Sequence, residues 1–224
     1  MTIEPMSDEK VLDSWHKNAL PWTSAVRESR IESRNLVTNT AIIDAITARQ
    51  PESVLDIGCG EGWLVRALAD LGICGTGVDA VPELIERARN AGGGEFQIAS
   101  YEDIAVGRLE ITVDVVAINF ALIGKESVEG LLRRTPRMLA PGGAVVIQTL
   151  HPLLTSGDAE YVDGWRAGSW TGFSDDFSDP APWYFRTMES WVKLFVESGL
   201  CLVGLREPLH PVTGKPASVI FTAV

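Results

Sequence analysis

Residues 53–63 read Ser-Val-Leu-Asp-Ile-Gly-Cys-Gly-Glu-Gly-Trp, an apolar run that breaks into alternating glycines and then changes its period. Val54, Leu55 and Ile57 suit a strand buried on both faces, as in a parallel sheet with helices above and below it. From Trp63 onward, Leu64, Val65, Leu68 and Leu71 recur at helical spacing, and Gly72 stands where a helix C-terminus favours a left-handed residue. Strand, tight turn and helix in so short a stretch define a βα unit. Gly58, Gly60 and Gly62 leave room for the backbone to turn sharply and for a ligand to lie against it, and the helix N-terminus beyond offers free N–H groups.

The spacing of the glycines separates the cofactors that such a turn serves. A dinucleotide fingerprint has glycine at its first, third and sixth positions. Counted from Gly58 the sixth position is Trp63, and counted from Gly60 it is Val65, so the pyrophosphate cradle does not fit. An acid followed by Gly-x-Gly-x-Gly, Asp56 to Gly62, instead resembles motif I of the class I S-adenosylmethionine-dependent methyltransferases. That resemblance implies that Gly58 and Gly60 hold the methionine part of S-adenosyl-L-methionine, a cofactor without phosphate. It also implies that Asp56 lies near the cofactor's amino group.

Composition bounds the partners. The 224 residues suit one large α/β domain or a domain with a short appendage, and 46% are apolar. Lys and Arg total 19 against 30 Asp and Glu, a formal charge of −11 that would repel a nucleic acid backbone. Cys59, Cys74 and Cys201 have no metal-ligand spacing and read as reduced, buried thiols. Residues 1–5 show neither a basic nor an apolar leader, and no segment reaches the ~18 apolar residues of a membrane span. A cytoplasmic protein without a membrane partner is expected.

Residues 1–50 read as an N-terminal helical cap before a methyltransferase domain at 51–224. A helix starts at Ser7-Asp8-Glu9-Lys10, carries Val11, Leu12, Trp15 and Ala19 on one face and is interrupted at Pro21. Ala41, Ile42, Ala45 and Ile46 mark a second helix, which Pro51 ends. In the family such helices fold over the cofactor. Arg27, Arg30 and Arg34 recur at i, i+3, i+7, which predicts one helical face. Either this is a solvated basic face paired with Glu28 and Glu32, or Arg34 grips the cofactor carboxylate.

Asp79 closes a second short strand, 23 positions after Asp56, counted as 79 − 56. Nucleotide-binding βαβ units place a carboxylate about 20 residues on, where it accepts protons from the ribose hydroxyls. The alternative is an acid capping the helix that starts at Pro82 and carries Leu84, Ile85 and Ala88. The third strand, Phe96–Ala99, ends at Ser100-Tyr101-Glu102-Asp103. Family members commonly have an aspartate where Ser100 stands, bonding the adenine amino group. Here a Ser100 hydroxyl or a backbone group, Tyr101 packed on the ring, or a displaced Asp103 would serve. The fourth strand, Asp114–Phe120, ends at Asn119, which in the family faces the reacting sulfur. Asn119-Phe120-Ala121-Leu122 departs from the Asn-Pro-Pro-Tyr of adenine- and glutamine-methylating relatives, so neither chemistry is indicated.

Lys125 to Leu139 reads as a helix with Leu131, Leu132, Met138 and Leu139 inward, kinked at Pro136, after which Pro141-Gly142-Gly143 turns into the strand Ala144–Thr149. This Leu-x-Pro-Gly-Gly turn is a second signature of the family. A stripe of Met188, Trp191, Val192 and Phe195 closed by Gly199, then strands near Cys201–Leu205 and Ser218–Ala223, matches its antiparallel end. The resemblance, covering residues 51–224 apart from one insertion, implies an α/β, Rossmann-like seven-stranded sheet. That sheet is mostly parallel, with an antiparallel C-terminal strand and helices on both faces.

The insertion, about residues 155–184, holds Trp165, Trp170, Phe173, Phe177 and Trp183 among glycines and carboxylates. Leaving the fifth strand at the ligand-binding edge of the sheet, it reads as a lid on an acceptor pocket, or else as a loop that buries its own aromatics or forms a homodimer contact. His151 directly follows that strand and is the candidate catalytic base, with Trp165, Trp170 and Tyr184 as apolar walls. The surrounding carboxylates favour a neutral or cationic acceptor. His16, His151 and His210 are scattered, so no metal is expected. The function these residues imply is methyl transfer from S-adenosyl-L-methionine to a small-molecule acceptor. The rival is a non-catalytic S-adenosylmethionine-binding or dimerising protein.

Overall fold

A computed structural model of the chain describes residues 6–224; Met1–Pro5, read above for the lack of a leader, lie outside the described residues. Helix α1 spans Asp8–Arg27, a single π-helical turn spans Arg34–Thr38, and α2 spans Asn39–Thr47. Then β1 (Ser53–Ile57), α3 (Trp63–Ala69), β2 (Cys74–Asp79), α4 (Pro82–Ala91), β3 (Glu95–Ile98), α5 (Tyr101–Ala105) and β4 (Val113–Asn119) alternate. Helix α6 (Glu126–Arg134) and a 3₁₀ turn (Thr135–Met138) lead into β5 (Leu139–Thr149), followed by α7 (Pro152–Thr155). A small hairpin of β6 (Gly164–Arg166) and β7 (Trp183–Phe185) precedes α8 (Met188–Glu197), β8 (Leu202–Arg206) and β9 (Val219–Ala223).

Seven strands make one sheet in the order β3-β2-β1-β4-β5-β9-β8. β1 to β5 pair in parallel, and β9 runs antiparallel to both its neighbours. On one face Leu55, Val116, Ile118 and Val145 pack against Leu131, Leu132, Trp191 and Phe195 from α6 and α8. On the other, Val54, Val115, Ala117 and Val146 meet Ile42, Ala45 and Ile46 of α2 and Leu64 and Leu68 of α3. Because the strand order reverses between β1 and β4, the carboxyl ends of those strands open a crevice, and the glycine turn lies at its rim.

Several local expectations are corrected by tertiary packing. Pro21 does not interrupt α1: the helix runs through it despite the lost hydrogen bond and the crowding of the carbonyl four residues earlier, with Ala19, Thr23 and Ala25 buried on either side. Arg27, Arg30 and Arg34 share no face: Arg27 ends α1, Arg30 follows in a turn and pairs with Glu28, and Arg34 opens the π turn. Leu71 lies beyond α3 and is exposed, and on α8 it is Leu194, not Val192, that turns inward. Leu139 begins β5, and Pro141–Gly143 form an outward bulge within that strand opposite Asp114, where pairing shifts from Val113–Leu139 to Val115–Ala144. Cys59 is buried, but Cys74 at the start of β2 and Cys201 after α8 are exposed, since both stand outside the covered centre of the sheet.

Candidate functional site

The turn after β1 is built for close approach. Gly58, at φ +73°, and Cys59 donate to the Val78 carbonyl at 2.8 and 3.0 Å. A β-carbon at Gly58 would run into the side chain of Ala121, so only glycine fits. Gly60 donates to Asp79 Oδ2 at 2.9 Å, and Val81 donates to Asp79 Oδ1 at 2.9 Å. Asp79 thus braces the glycine turn and the entry to α4, and each oxygen keeps a lone pair for a further donor. Burial raises its pKa against the effect of those N–H groups. Glu61, 1% exposed, ties the same turn to Arg66 and to Arg27 at the end of α1, with ion pairs of 2.6 and 2.7 Å.

Two cavities meet over this turn. The first, about 330 Å³, is lined by Gly58, Gly60, Asp79, Ser100, Tyr101 and Asn119, with Leu12, Trp15 and Trp22 of α1 as its roof. Tyr101 donates its hydroxyl to the Ala121 carbonyl at 3.0 Å, and burial beside Asp79 and Asp56 pushes its pKa up. Ser100 is the N-cap of α5 in a capping box: its hydroxyl oxygen accepts from the Asp103 N–H at 3.1 Å, and Asp103 Oδ2 accepts from the Ser100 N–H at 3.2 Å. Asp103 is further bound by Arg108, which holds its carboxyl below the usual range, and it does not line the cavity.

The second cavity, about 380 Å³, lies between the glycine turn and the insertion. Arg34 lines it and is 8% exposed; its Nε donates to Asn39 Oδ1 at 3.1 Å, while one terminal nitrogen has no partner. Its guanidinium stands 4.7 Å from the Trp63 ring centre and 5.7 Å from that of Trp22. Burial lowers its pKa to about 10, opposed by Glu61 and Asp56. Asp56, 2% exposed beneath the turn, has an unpartnered Oδ1, and burial followed by repulsion from Asp79 raises its pKa to about 7. Of these two unpartnered atoms, only that of Arg34 belongs to a residue on a cavity wall, where a ligand could complete its hydrogen bonds; Asp56 lines neither cavity.

Asn119 and Phe120 line both cavities. Asn119 Oδ1 accepts from Gln148 Nε2 at 2.7 Å, and the same amide nitrogen donates to the Thr38 carbonyl at 2.9 Å. Phe120 sits at φ +54°, a left-handed conformation that costs a bulky residue ~1–3 kcal/mol, and its N–H donates to the Gln148 carbonyl at 2.8 Å. Such strain at a ligand-facing position went unseen in the sequence, because only a backbone angle reveals it.

Residues of the insertion, Trp170, Phe173, Trp183 and Tyr184 among them, line the second cavity. Trp170, Phe173 and Phe177 stack on one another and reach Trp15 and Trp22 of α1, with ring centres 4.6 to 6.5 Å apart. Lys17 pairs with Asp13 and Asp179, each at 2.7 Å; both raise the Lys17 pKa, Asp13 the more, and Lys17 lowers that of Asp179. Asp163 accepts from the Thr187 N–H and Asp176 from the Ser174 hydroxyl, so the insertion's carboxylates do not surround the cavity as expected. His151 is also placed differently. It is 2% exposed, its Nε2 is 2.7 Å from Glu207 Oε1 and its buried Nδ1 has no partner; the ring does not line the cavity, although Leu150 and Pro152 on either side do. Trp15, Trp22 and Arg186 line the second cavity and were not anticipated; the i, i+7 spacing of the two tryptophans on α1 was the available signal.

An open, mostly parallel sheet with a glycine turn after β1, an acid ending β2 and a cavity across both defines a nucleoside-cofactor fold of the Rossmann-like methyltransferase type. Residues 32–203 match the methyltransferase domain family, and the chain belongs to that family. It is 31% identical over 121 residues to the ubiquinone biosynthesis O-methyltransferase of Xanthomonas oryzae pv. oryzae (strain PXO99A), covering 50% of each chain. The chain therefore spans about half the length of the curated relatives it matches. Among solved structures it resembles an S-adenosylmethionine-dependent methyltransferase from Mesorhizobium loti, with TM-score 0.61 and 22% identity over 80% of this chain and 95% of that one. It also resembles the DhpI–SAH complex, with TM-score 0.65 and 18% identity over 96% and 95%. At these identities the likeness establishes the fold.

Proposed function

We propose that the protein transfers a methyl group from S-adenosyl-L-methionine to a small-molecule acceptor. The observation that carries this reading is the pair of cavities sharing Gly58 and Gly60, one holding the Asp79 carboxylate and the other the Arg34 guanidinium with one unpartnered terminal nitrogen. The donor set lining the cavities fits the cofactor: Arg34 would take its carboxylate and Asp79 its ribose hydroxyls, with Tyr101 and Ser100 on the adenine side, while Asp56, buried beneath the turn and absent from both cavity walls, would act on the ammonium through its charge. When bound, the cofactor supplies a methyl already activated on a sulfonium. The residues of this chain then act by positioning. Asn119 and Phe120 stand where the cavities join, while Trp170 and Phe173 exclude water from the second, and orientation of this kind is worth ~7–11 kcal/mol of barrier.

The insertion spends its aromatics on α1 and on one another, which favours an enclosing lid over a dimer surface. Among the described residues no helix is long and apolar enough to cross a membrane, and no group of His, Cys, Asp and Glu is placed to hold a metal. The reading places the enzyme in the cytoplasm, where its three free thiols stay reduced, and excludes nucleic acid as a partner on charge. Calorimetry tests it: S-adenosylhomocysteine should bind in the micromolar range and NAD should not. Binding of NAD without S-adenosylhomocysteine would overturn the assignment.

A further inference from the structure

We infer that the acceptor carries a carboxylate and that Arg186 binds it. The inference rests on the methyltransferase reading and names the substrate class of the same site. In a chain of formal charge −11, the second cavity is lined by two arginines and by no aspartate or glutamate. Arg34 is matched to the cofactor end, which leaves Arg186 facing the acceptor chamber.

Arg186 is 4% exposed and stacks 4.8 Å from the Tyr184 ring centre and 5.3 Å from that of Trp191. It donates to the carbonyls of Gly124 at 2.9 Å and Lys125 at 3.1 Å, so its positive charge meets dipoles and not a carboxylate. The acids whose fields reach it are engaged elsewhere. Asp8 accepts from the N–H groups of Lys125 and Ser127, Asp163 from Thr187, Glu126 pairs with Lys125, and Glu129 with Lys125 and Arg133. Burial destabilises the charged form and lowers its pKa. A buried cation held by carbonyls, with its acids acting only through space, is costly, and neutral donors would serve as well to tie two carbonyls. The planar guanidinium has further N–H donors, in a fork that matches a carboxylate, and the flanking rings suit the flat body of an aromatic or conjugated acid.

The test uses the full chain saturated with S-adenosylhomocysteine and titrated calorimetrically with benzoate, 3,4-dihydroxybenzoate and indole-3-acetate, each against its methyl ester. At least one acid should bind about tenfold or more tighter than its ester, as expected for a charged hydrogen bond. Arg186→Met should abolish that preference and Arg186→Lys should keep part of it. A role confined to holding Gly124 and Lys125 would not distinguish acid from ester. The proposal is overturned if no acid exceeds its ester in the wild type, or if Arg186→Met keeps the preference. Should the methionine variant lose S-adenosylhomocysteine binding through misfolding, the wild-type comparison and the lysine variant decide alone. Failure of the wild type to bind S-adenosylhomocysteine would instead strike the methyltransferase reading, and this proposal with it.

Discussion

Asn18 and Ser178 clasp each other across 160 residues of chain: the Ser178 N–H donates to Asn18 Oδ1 at 2.9 Å, and Asn18 Nδ2 donates to the Ser178 carbonyl at 2.7 Å. One carboxamide on α1 thereby satisfies both backbone groups of a residue in the insertion, as a neighbouring strand would. Asn18→Ala should leave those groups unpaired and cost ~1–3 kcal/mol of stability. Thermal unfolding should show the loss, and limited proteolysis should cut within residues 155–184 sooner than in the wild type.

Asp79 is braced by the N–H groups of Gly60 and Val81, so it serves the turn besides the ribose contact proposed for it. Asp79→Ala should weaken S-adenosylhomocysteine binding by roughly 1.5–3 kcal/mol, the worth of a hydrogen bond to a charged group, and should lower the melting temperature too. Unchanged affinity by calorimetry would place the ribose contact elsewhere.

Gly58→Ala should be more damaging than its size suggests. The residue sits at φ +73°, which costs an L-residue ~1–2 kcal/mol, and its methyl would collide with Ala121. Cofactor binding should fall further than for alanine at Gly72, which has the same backbone sign but open space around it. Equal effects at the two positions would remove the close-approach argument.

The role proposed for Asp56 would tie cofactor binding to pH. Its pKa is raised to about 7 from 3.8 by burial, so in this range the folded, ligand-free protein holds a proton that the unfolded chain has released. Stability contributed by this group therefore falls as pH rises from about 4 to 7 and then levels off, because the native state binds more protons there. Binding of the cofactor's ammonium favours the carboxylate, so S-adenosylhomocysteine should bind more tightly at pH 8 than at pH 6 and release protons near neutrality. Calorimetry in buffers of different ionisation heat reads that release, and Asp56→Asn should abolish the Asp56 part of it.

His151 is held by Glu207 at 2.7 Å and its ring is absent from the cavity wall. His151→Asn should lower thermal stability while turnover, once an acceptor is known, stays within about twofold. A loss of ~10²-fold or more, the scale of a general base, would return the imidazole to the chemistry.

What the sequence determined by itself was local. Val54 to Trp63 fixed strand, turn and helix because apolar periodicity and glycine conformational freedom act within a few residues. Asp79 was legible for the same reason, since one βαβ unit fixes its distance from the turn. Tertiary structure alone decided where side chains point once distant segments meet. Arg27, Arg30 and Arg34 shared a helical period yet separated, because the chain leaves α1 before Arg30 and re-enters helix only at the π turn. His151 had the right strand end but faces Glu207, a partner 56 residues away, and the insertion's carboxylates found Lys17, Thr187 and Ser174. The chamber's charge was illegible on the same ground. A chain of net −11 lines its second cavity with Arg34 and Arg186, and such sorting of charge depends on which few side chains the fold turns inward, a quantity that composition averages away.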